Sequence, residues 1–387
     1  MQVHRHVRIT RHRLLLTFLN YRHHPAHPLH STIPVGIPHT RHRPRVGASP
    51  QLRPCQLGRT WPVTITSPKP ALLNPAYGSY FADPFVWKHG ETYYAIGTGE
   101  LEATGKTIGK VFPLLQSSDF VQWQPAGSAM LRPDPALGGH FWAPEVAFAN
   151  DRFYLYYSVG HGDQDHQLRV AASDSPQGPY HDLGLTLLDR TACPFAIDAH
   201  PFQDDDGRWY LFYARDFLDQ TDQARPGTAL MVAPLETMTK LAPGGEVVLR
   251  ARHDWQRFQA QRPLYGRTWD WHTLEGPFVR KHEGVYYCFY SAGRWEDDSY
   301  GVDYAVAESV MGPYSDEGSE SGPRVLRTVP THVIGPGHNS IVLGPDGITE
   351  YLAYHAWDKT MKNRLMFLDK LNWSSHGPRC EGPAWSA

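Results

Sequence analysis

Acidic residues are missing from the beginning of this 387-residue chain: residues 1–82 hold no Asp or Glu, and Asp83 is the first. Lysine is absent from residues 1–60, where ten arginines stand among histidines and prolines. A segment with one sign of charge and little periodicity lacks the means to bury a core. Residues 1–68 therefore read as a disordered tail or an over-extended start, with a targeting segment and a basic binding arm as the other readings. Its one apolar run, Leu14–Leu19, is short for a signal-peptide core and has no small-residue cleavage site nearby, which leaves the compartment open. Cysteine is scarce as well. Cys55, Cys193, Cys288 and Cys380 show no CxxC or other ligand spacing, so neither a zinc site nor a disulfide framework is indicated. No apolar run approaches the length that spans a bilayer, so no membrane partner is expected. No segment beyond the tail carries a convincing helical period, which points away from helical folds.

The charge that is present is unevenly placed. The chain has 37 Lys and Arg against 39 Asp and Glu, so once the ten arginines of residues 1–60 are set aside, 27 basic residues face all 39 acidic ones. An acidic body argues against nucleic acid as its partner. Aromatic residues are plentiful, with 12 Trp and 20 Tyr, a composition that strands favour.

Those aromatics recur in a ladder. Gly90–Tyr94, Asp151–Tyr154, Gly207–Tyr210, Glu283–Tyr287 and Asp346–Tyr351 each place a Gly, Asp or Glu turn before a short aromatic strand, which is a hairpin signature. The anchor tyrosines Tyr94, Tyr154, Tyr210, Tyr287 and Tyr351 are separated by roughly 60 to 75 residues, a period that suggests propeller blades or a similar array. Residues 69–387 thus predict an all-β fold, a five-bladed β-propeller with about four strands per blade. About twelve residues before each anchor lie Asp83, Trp142, Asp198, Glu275 and Asn339, the last beside His338. In a radial repeat such positions converge on one axis, and a pair of packed sandwiches would not explain polar groups in one repeat phase.

Each of these residues has a bland reading too. Asp83 precedes Pro84, and an Asp before Pro is often a turn former. Asp198 and Glu275 are flanked by apolar residues, and a buried carboxylate must be paired, hydrogen-bonded or shifted in pKa. Three carboxylates in one phase make three coincidental turns a poor account. Glycosidic bond cleavage requires such a set: one acid protonates the departing oxygen, one carboxylate activates water or attacks, and a third raises the pKa of the acid. Trp142 is either a core residue or a wall on which a sugar ring stacks. His161–His166 and Asp204–Asp206 look like metal clusters by composition; a polar loop at the site mouth and a hairpin turn explain them more simply.

The strings Ala82-Asp83-Pro84, Trp142-Ala143-Pro144-Glu145, Ile197-Asp198, Glu275-Gly276-Pro277 and Gly337-His338-Asn339 resemble glycoside hydrolase family 43, which contains β-xylosidases, α-L-arabinofuranosidases and arabinanases. The resemblance runs in order from about Asn74 to the end and leaves the basic tail uncovered. It implies a five-bladed propeller and inversion at the anomeric carbon, with Asp83 as general base, Glu275 as general acid and Asp198 tuning and orienting the acid. It also implies substrate contact by Trp142, His338 and Arg364, arabinan, xylan or derived oligosaccharides as partners, and exo action. No cofactor is required, although His338 resembles a histidine that in some members holds a hydrated Ca2+ ion on the propeller axis. The rivals are endo-arabinanase action and a non-catalytic carbohydrate-binding propeller. Fructan-cleaving enzymes fit less well, because Asn74-Pro75 and Asp83-Pro84 stand apart here.

Overall fold

The computed structural model describes residues 72–386, so the basic segment and Cys55 lie outside it. Four sheets account for the strands described. The first joins β1 (Ala82–His89), β2 (Thr92–Thr98), β3 (Lys110–Ser117) and β4 (Gln124–Leu131) in sequence order. The second does the same with β5 (His140–Ala149), β6 (Arg152–His161), β7 (Gln164–Ser173) and β8 (His181–Thr186). A nine-stranded sheet follows, in which β9 (Ala196–Gln203), β10 (Trp209–Phe217), β11 (Gly227–Thr237), β12 (Lys240–Leu241) and β13 (Glu246–Leu249) form one antiparallel group. Its other group is β14 (Arg257–Leu264), β15 (Arg267–His282), β16 (Val285–Ala292) and β17 (Gly301–Ala307). A short parallel pairing, Gly227 with His272 and Thr228 with Thr273, joins the two groups. The last sheet is β18 (Ile334–Leu343), β19 (Glu350–Trp357), β20 (Arg364–Ser374) and β21 (Gly377–Cys380). The fold is all-β, as expected. Its one α-helix among the described residues is the single turn Glu100–Ala103.

The apolar residues explain how these sheets meet. Each strand alternates residues between two faces, and five apolar clusters each fill the space between two neighbouring groups. Ile96 and Leu114 pack with Phe141 and Leu155, Tyr156 and Val170 with Leu211 and Met231, and Phe212 and Leu230 with Cys288 and Tyr290. Phe289 and Val302 pack with Leu352 and Phe367, and Val86 and Ala95 with Ala353 and Leu368. The fifth cluster returns the last sheet to the first, so the packing closes on itself. The leading strands β1, β5, β9, β15 and β18 touch in the same cyclic order. The segment that leads into the first sheet reinforces the closure: Leu368 N–H donates to Asn74 Oδ1 at 2.8 Å, Asn74 Nδ2 donates to the Leu368 carbonyl at 3.1 Å, and Tyr77 bridges to Met366.

Candidate active site

Every leading strand carries the same irregularity. The register slips by one residue between Ala82 and Phe85, Trp142 and Glu145, Ile197 and His200, Glu275 and Phe278, and Gly337 and Ser340. Within each bulge one residue adopts positive φ: Asp83 (51°), Ala143 (47°), Asp198 (60°), Gly276 (55°) and His338 (51°). Bulges re-aim side chains and recur beside active sites, and positive φ in a non-glycine residue is a cost that the surrounding structure must hold in place. Here the neighbouring groups hold it. The Asp83 N–H donates to His355 Nδ1 at 3.1 Å, Ala143 N–H to Thr98 Oγ1 at 3.0 Å, and His338 N–H to Ser291 Oγ at 2.7 Å. The Gly276 N–H donates to Asp198 Oδ2 at 2.8 Å.

This fivefold register corrects the single repeat phase expected from the sequence. Asp83, Asp198 and His338 are equivalent, whereas Glu275 and Trp142 stand one residue earlier and Asn339 one residue later. The anchor tyrosines are themselves equivalent, since each pairs with the residue four beyond its bulge: Trp87, Ala147, Phe202, Arg280 and Val342. The discrepancy comes from the turns. Two residues separate the strands at His89–Thr92, Ala149–Arg152 and His282–Val285, whereas Gln203–Trp209 and Leu343–Glu350 enclose longer loops. A fixed offset counted back through unequal turns lands on different positions.

Asp83 is buried. Its Oδ2 accepts from Thr98 Oγ1 at 2.6 Å, while Oδ1 lies 3.5 Å from both His338 Nδ1 and Arg364 Nη1. Burial works to raise its pKa, but His338 and then Arg364 outweigh burial and hold the carboxyl well below the usual carboxylate range. His355 Nδ1 also lies 3.2 Å from Oδ1. That nitrogen already accepts the Asp83 N–H, so the electrostatic weight falls on His338 and Arg364. Arg364 is buried at the start of β20, donates from Nε and Nη2 to Tyr80 OH at 3.1 and 2.8 Å, and lies over the Trp295 ring at 4.5 Å.

Asp198 and Glu275 are biased the other way. Burial raises the pKa of Asp198, the Asp83 charge adds to it, and His338 opposes both. Burial and then the nearby Asp198 raise that of Glu275, against a hydrogen bond from Tyr300. The Tyr300 hydroxyl donates to Glu275 Oε1 at 2.6 Å. His338 sits among these groups. Burial works against a charged ring, yet Asp83, Asp198, Glu275 and Glu145 outweigh it and raise its pKa. The ring packs over Gly276, where an added Cβ would come within 3.2 Å of it.

One cavity of about 410 Å³ is lined by the six residues given catalytic or substrate roles from the sequence, Asp83, Trp142, Asp198, Glu275, His338 and Arg364, but not by Asn339. Trp142 stacks on His166 with ring centroids 3.8 Å apart, which fixes its plane. The loop His161–His166 does serve the mouth of this cavity. Gly162 N–H donates to His140 Nδ1 at 2.9 Å, His166 Nε2 bonds the Gly162 carbonyl at 2.8 Å, and Gly162 and Asp163 line the wall. Residues that the sequence reading missed complete the wall, among them Phe258, Trp295 and Tyr300. Tyr300 had one indirect signal in Gly337, because any Cβ there would overlap the Tyr300 ring. Phe258 and Trp295 lie in segments without counterparts in the repeat and carried no signal.

The calcium ion implied by the resemblance would need hard oxygen donors. Among the described residues no three His, Cys, Asp or Glu side chains are grouped to hold a metal ion, and His338 Nδ1 faces carboxylates at 3.5 and 4.0 Å. Among the described residues, the side chains here do not form a direct ligand set for the ion.

Comparisons with known proteins give the relatives of the whole chain. The profile for glycosyl hydrolases family 43 matches residues 72–378. A β-D-galactofuranosidase of Aspergillus niger is 28% identical over 82% of this chain and 89% of its own length. An extracellular endo-α-(1→5)-L-arabinanase of Bacillus subtilis is 27% identical over 81% of this chain and 92% of its own. The crystal structure of a thermostable family-43 glycoside hydrolase superposes with a TM-score of 0.69 at 29% identity, covering 82% of this chain and 98% of that one.

Proposed function

The chain belongs to glycosyl hydrolases family 43 and is a glycoside hydrolase, and from that premise we propose that it cleaves α-L-arabinofuranosidic or β-D-xylosidic bonds in arabinan, xylan or their oligomers. Its five strand groups and five interfacial cores are read as the blades of a five-bladed β-propeller, with the cavity at the mouth of the central axis. Relatives named for exo-arabinofuranosidase, endo-arabinanase and xylosidase/arabinosidase activity support the substrate class.

The observation that carries the proposal is the opposite protonation bias of two carboxyls in one cavity. Asp83 is held ionised by His338 and Arg364, while burial and then Asp198 raise the pKa of Glu275 and bias it toward the protonated form. A carboxylate beside a carboxylic acid is what hydrolysis of an acetal requires. Asp83 is the base that takes a proton from water, Glu275 is the acid that gives one to the departing oxygen, and Asp198 sustains the pKa of the acid and orients its strand through the Gly276 N–H. Trp142 supplies an apolar face for the sugar ring, and Arg364 a planar donor for its hydroxyls. Cleavage inverts the anomeric carbon and proceeds from the chain end.

A panel of aryl α-L-arabinofuranoside, β-D-xyloside and β-D-galactofuranoside, together with linear arabinan and xylan, tests the assignment. The galactofuranoside is included because the Aspergillus relative is named for that activity. Hydrolysis of an aryl pentoside and release of monosaccharide are expected. Long oligomers without aryl pentoside cleavage would overturn the exo reading, and a first-formed sugar of retained configuration by proton NMR would overturn the role of Asp83.

A further inference from the structure

Two residues beyond each positive-φ position stand Phe85, Glu145, His200, Phe278 and Ser340, a second set of side chains further along the leading strands. Two members of this set act alike. β1 pairs with β2 alone, and over residues 274–282 β15 pairs with β16 alone. The N–H groups on the other edge of each strand therefore need acceptors from elsewhere. Val86 N–H, three residues beyond Asp83, donates to Ser340 Oγ at 3.1 Å, and that hydroxyl donates to the Pro84 carbonyl at 2.8 Å. Val279 N–H, three residues beyond Gly276, donates to His200 Nε2 at 3.0 Å. A serine suffices at the first place. The second uses a histidine, whose other ring nitrogen, Nδ1, lies 2.7 Å from Glu145 Oε2 on β5.

The partners assign the proton of that ring. Nε2 accepts the Val279 N–H and carries no hydrogen, which leaves the ring proton on Nδ1, donated to Glu145. Both side chains are buried, and the ring packs on Phe278 with centroids 4.3 Å apart. A ring turned over would leave Glu145 and the Val279 N–H buried without partners, which is costly. The consequence reaches the acid. Among the described residues β9 and β15 share no backbone ladder. Two hydrogen bonds join them instead, Gly276 N–H to Asp198 Oδ2 and Val279 N–H to His200 Nε2. These bonds bracket residues 276–279, the stretch of β15 that directly follows Glu275. Glu145 extends the tie to β5, the strand that carries Trp142. One ring thus couples the strands of the stacking wall, the tuning carboxylate and the acid.

We propose that His200, held by Glu145, is a positioning residue for the general acid, fixing the spacing of β9 and β15 that keeps Glu275 beside Asp198. The proposal rests on the glycosidase reading and adds to it two residues outside the lining of the cavity. The test is kcat and KM on phenyl and dinitrophenyl pentosides, the first with a poor leaving group and the second with an activated one. His200→Phe keeps the bulk of the ring and removes both hydrogen bonds. It should lower kcat on the phenyl glycoside by about tenfold or more, as a misaligned proton donor does, while KM stays close and the dinitrophenyl rate falls far less. His200→Gln, whose amide oxygen can take the Val279 N–H, should recover most of the loss. Glu145→Leu deprives Nδ1–H of its acceptor and should show the same discrimination, and it carries the comparison should His200→Phe fail to fold. A loss equal on both substrates, no loss, or no recovery in His200→Gln would overturn the positioning role and leave the glycosidase reading standing. A wild-type chain inactive on every glycoside would sink both together. Nitrogen NMR of the His200 ring, assigned by its disappearance in His200→Gln, tests the geometry without activity. The Nδ1–H tautomer is expected, and a proton on Nε2 would overturn the proposal whatever the rates.

Discussion

Tyr300→Phe should move the alkaline limb of the pH–rate profile upward. The buried Tyr300 hydroxyl lies 2.6 Å from Glu275 Oε1, and it stabilises the ionised acid against burial and the Asp198 charge. A hydrogen bond to an ionised group contributes about 1.5–3 kcal/mol, and one to a neutral partner about 0.5–1.5 kcal/mol. The protonated acid keeps the weaker version, so the difference between the two states is about 1–1.5 kcal/mol, or roughly one pKa unit. The sign follows from which state gains. The hydroxyl favours the carboxylate, its loss favours the acid, and a general acid works only while protonated. The limb governed by Glu275 should therefore shift to higher pH by about one unit in kcat/KM. The assay is a kcat/KM profile on a substrate with a poor leaving group, since such a substrate needs the proton. A limb that stays in place would mean that another group governs it, and a limb that moves down would refute the electrostatic argument outright.

Asp198→Asn should move the same limb in the opposite direction, because a like charge beside Glu275 has gone; comparing both variants in one buffer series checks the pair of signs. Glu275→Gln should lower the rate on poor leaving groups by roughly 10² to 10⁴ and spare activated nitrophenyl glycosides, and equal damage to both, read from steady-state rates, would reassign the acid. Gly276→Ala should cost about 1–2 kcal/mol in chemical denaturation, because φ is positive there. The new methyl group also presses on the His338 ring, so activity should fall further than stability does.

The sequence disclosed the carboxylates more readily than their surroundings, for a physical reason. Asp83, Asp198 and Glu275 stand within a residue of a common step from hairpins whose turn chemistry is local and readable, and so do Trp142 and His338. Arg364 came through resemblance alone and opens β20 beside Tyr80. What the residue pattern hid was the bulge. An extra residue in a strand leaves no compositional mark unless it is glycine, and here four of the five positive-φ residues are Asp, Ala or His. Partners that arrive from outside the repeat were hidden as well. Tyr300, Trp295 and Phe258 reach the cavity from stretches outside the repeat, and only folding brings them there. Asn339, singled out by its place in the ladder, lies instead buried with neither amide atom bonded.

The five bulges also define how this framework accepts change. Each presents one residue at positive φ through the same backbone device, so the five positions behave as sockets rather than as a single site. Three are filled by Asp83, Asp198 and His338, and a fourth is blocked because the His338 ring occupies the space above Gly276. The fifth holds Ala143, whose N–H is already tethered by Thr98. A titratable side chain introduced there would inherit a backbone shaped for it and would meet the Asp83–Thr98 hydrogen bond as its neighbour. Position 143, buried and outside the lining of the cavity, is where a longer side chain would test whether the fifth socket can be opened.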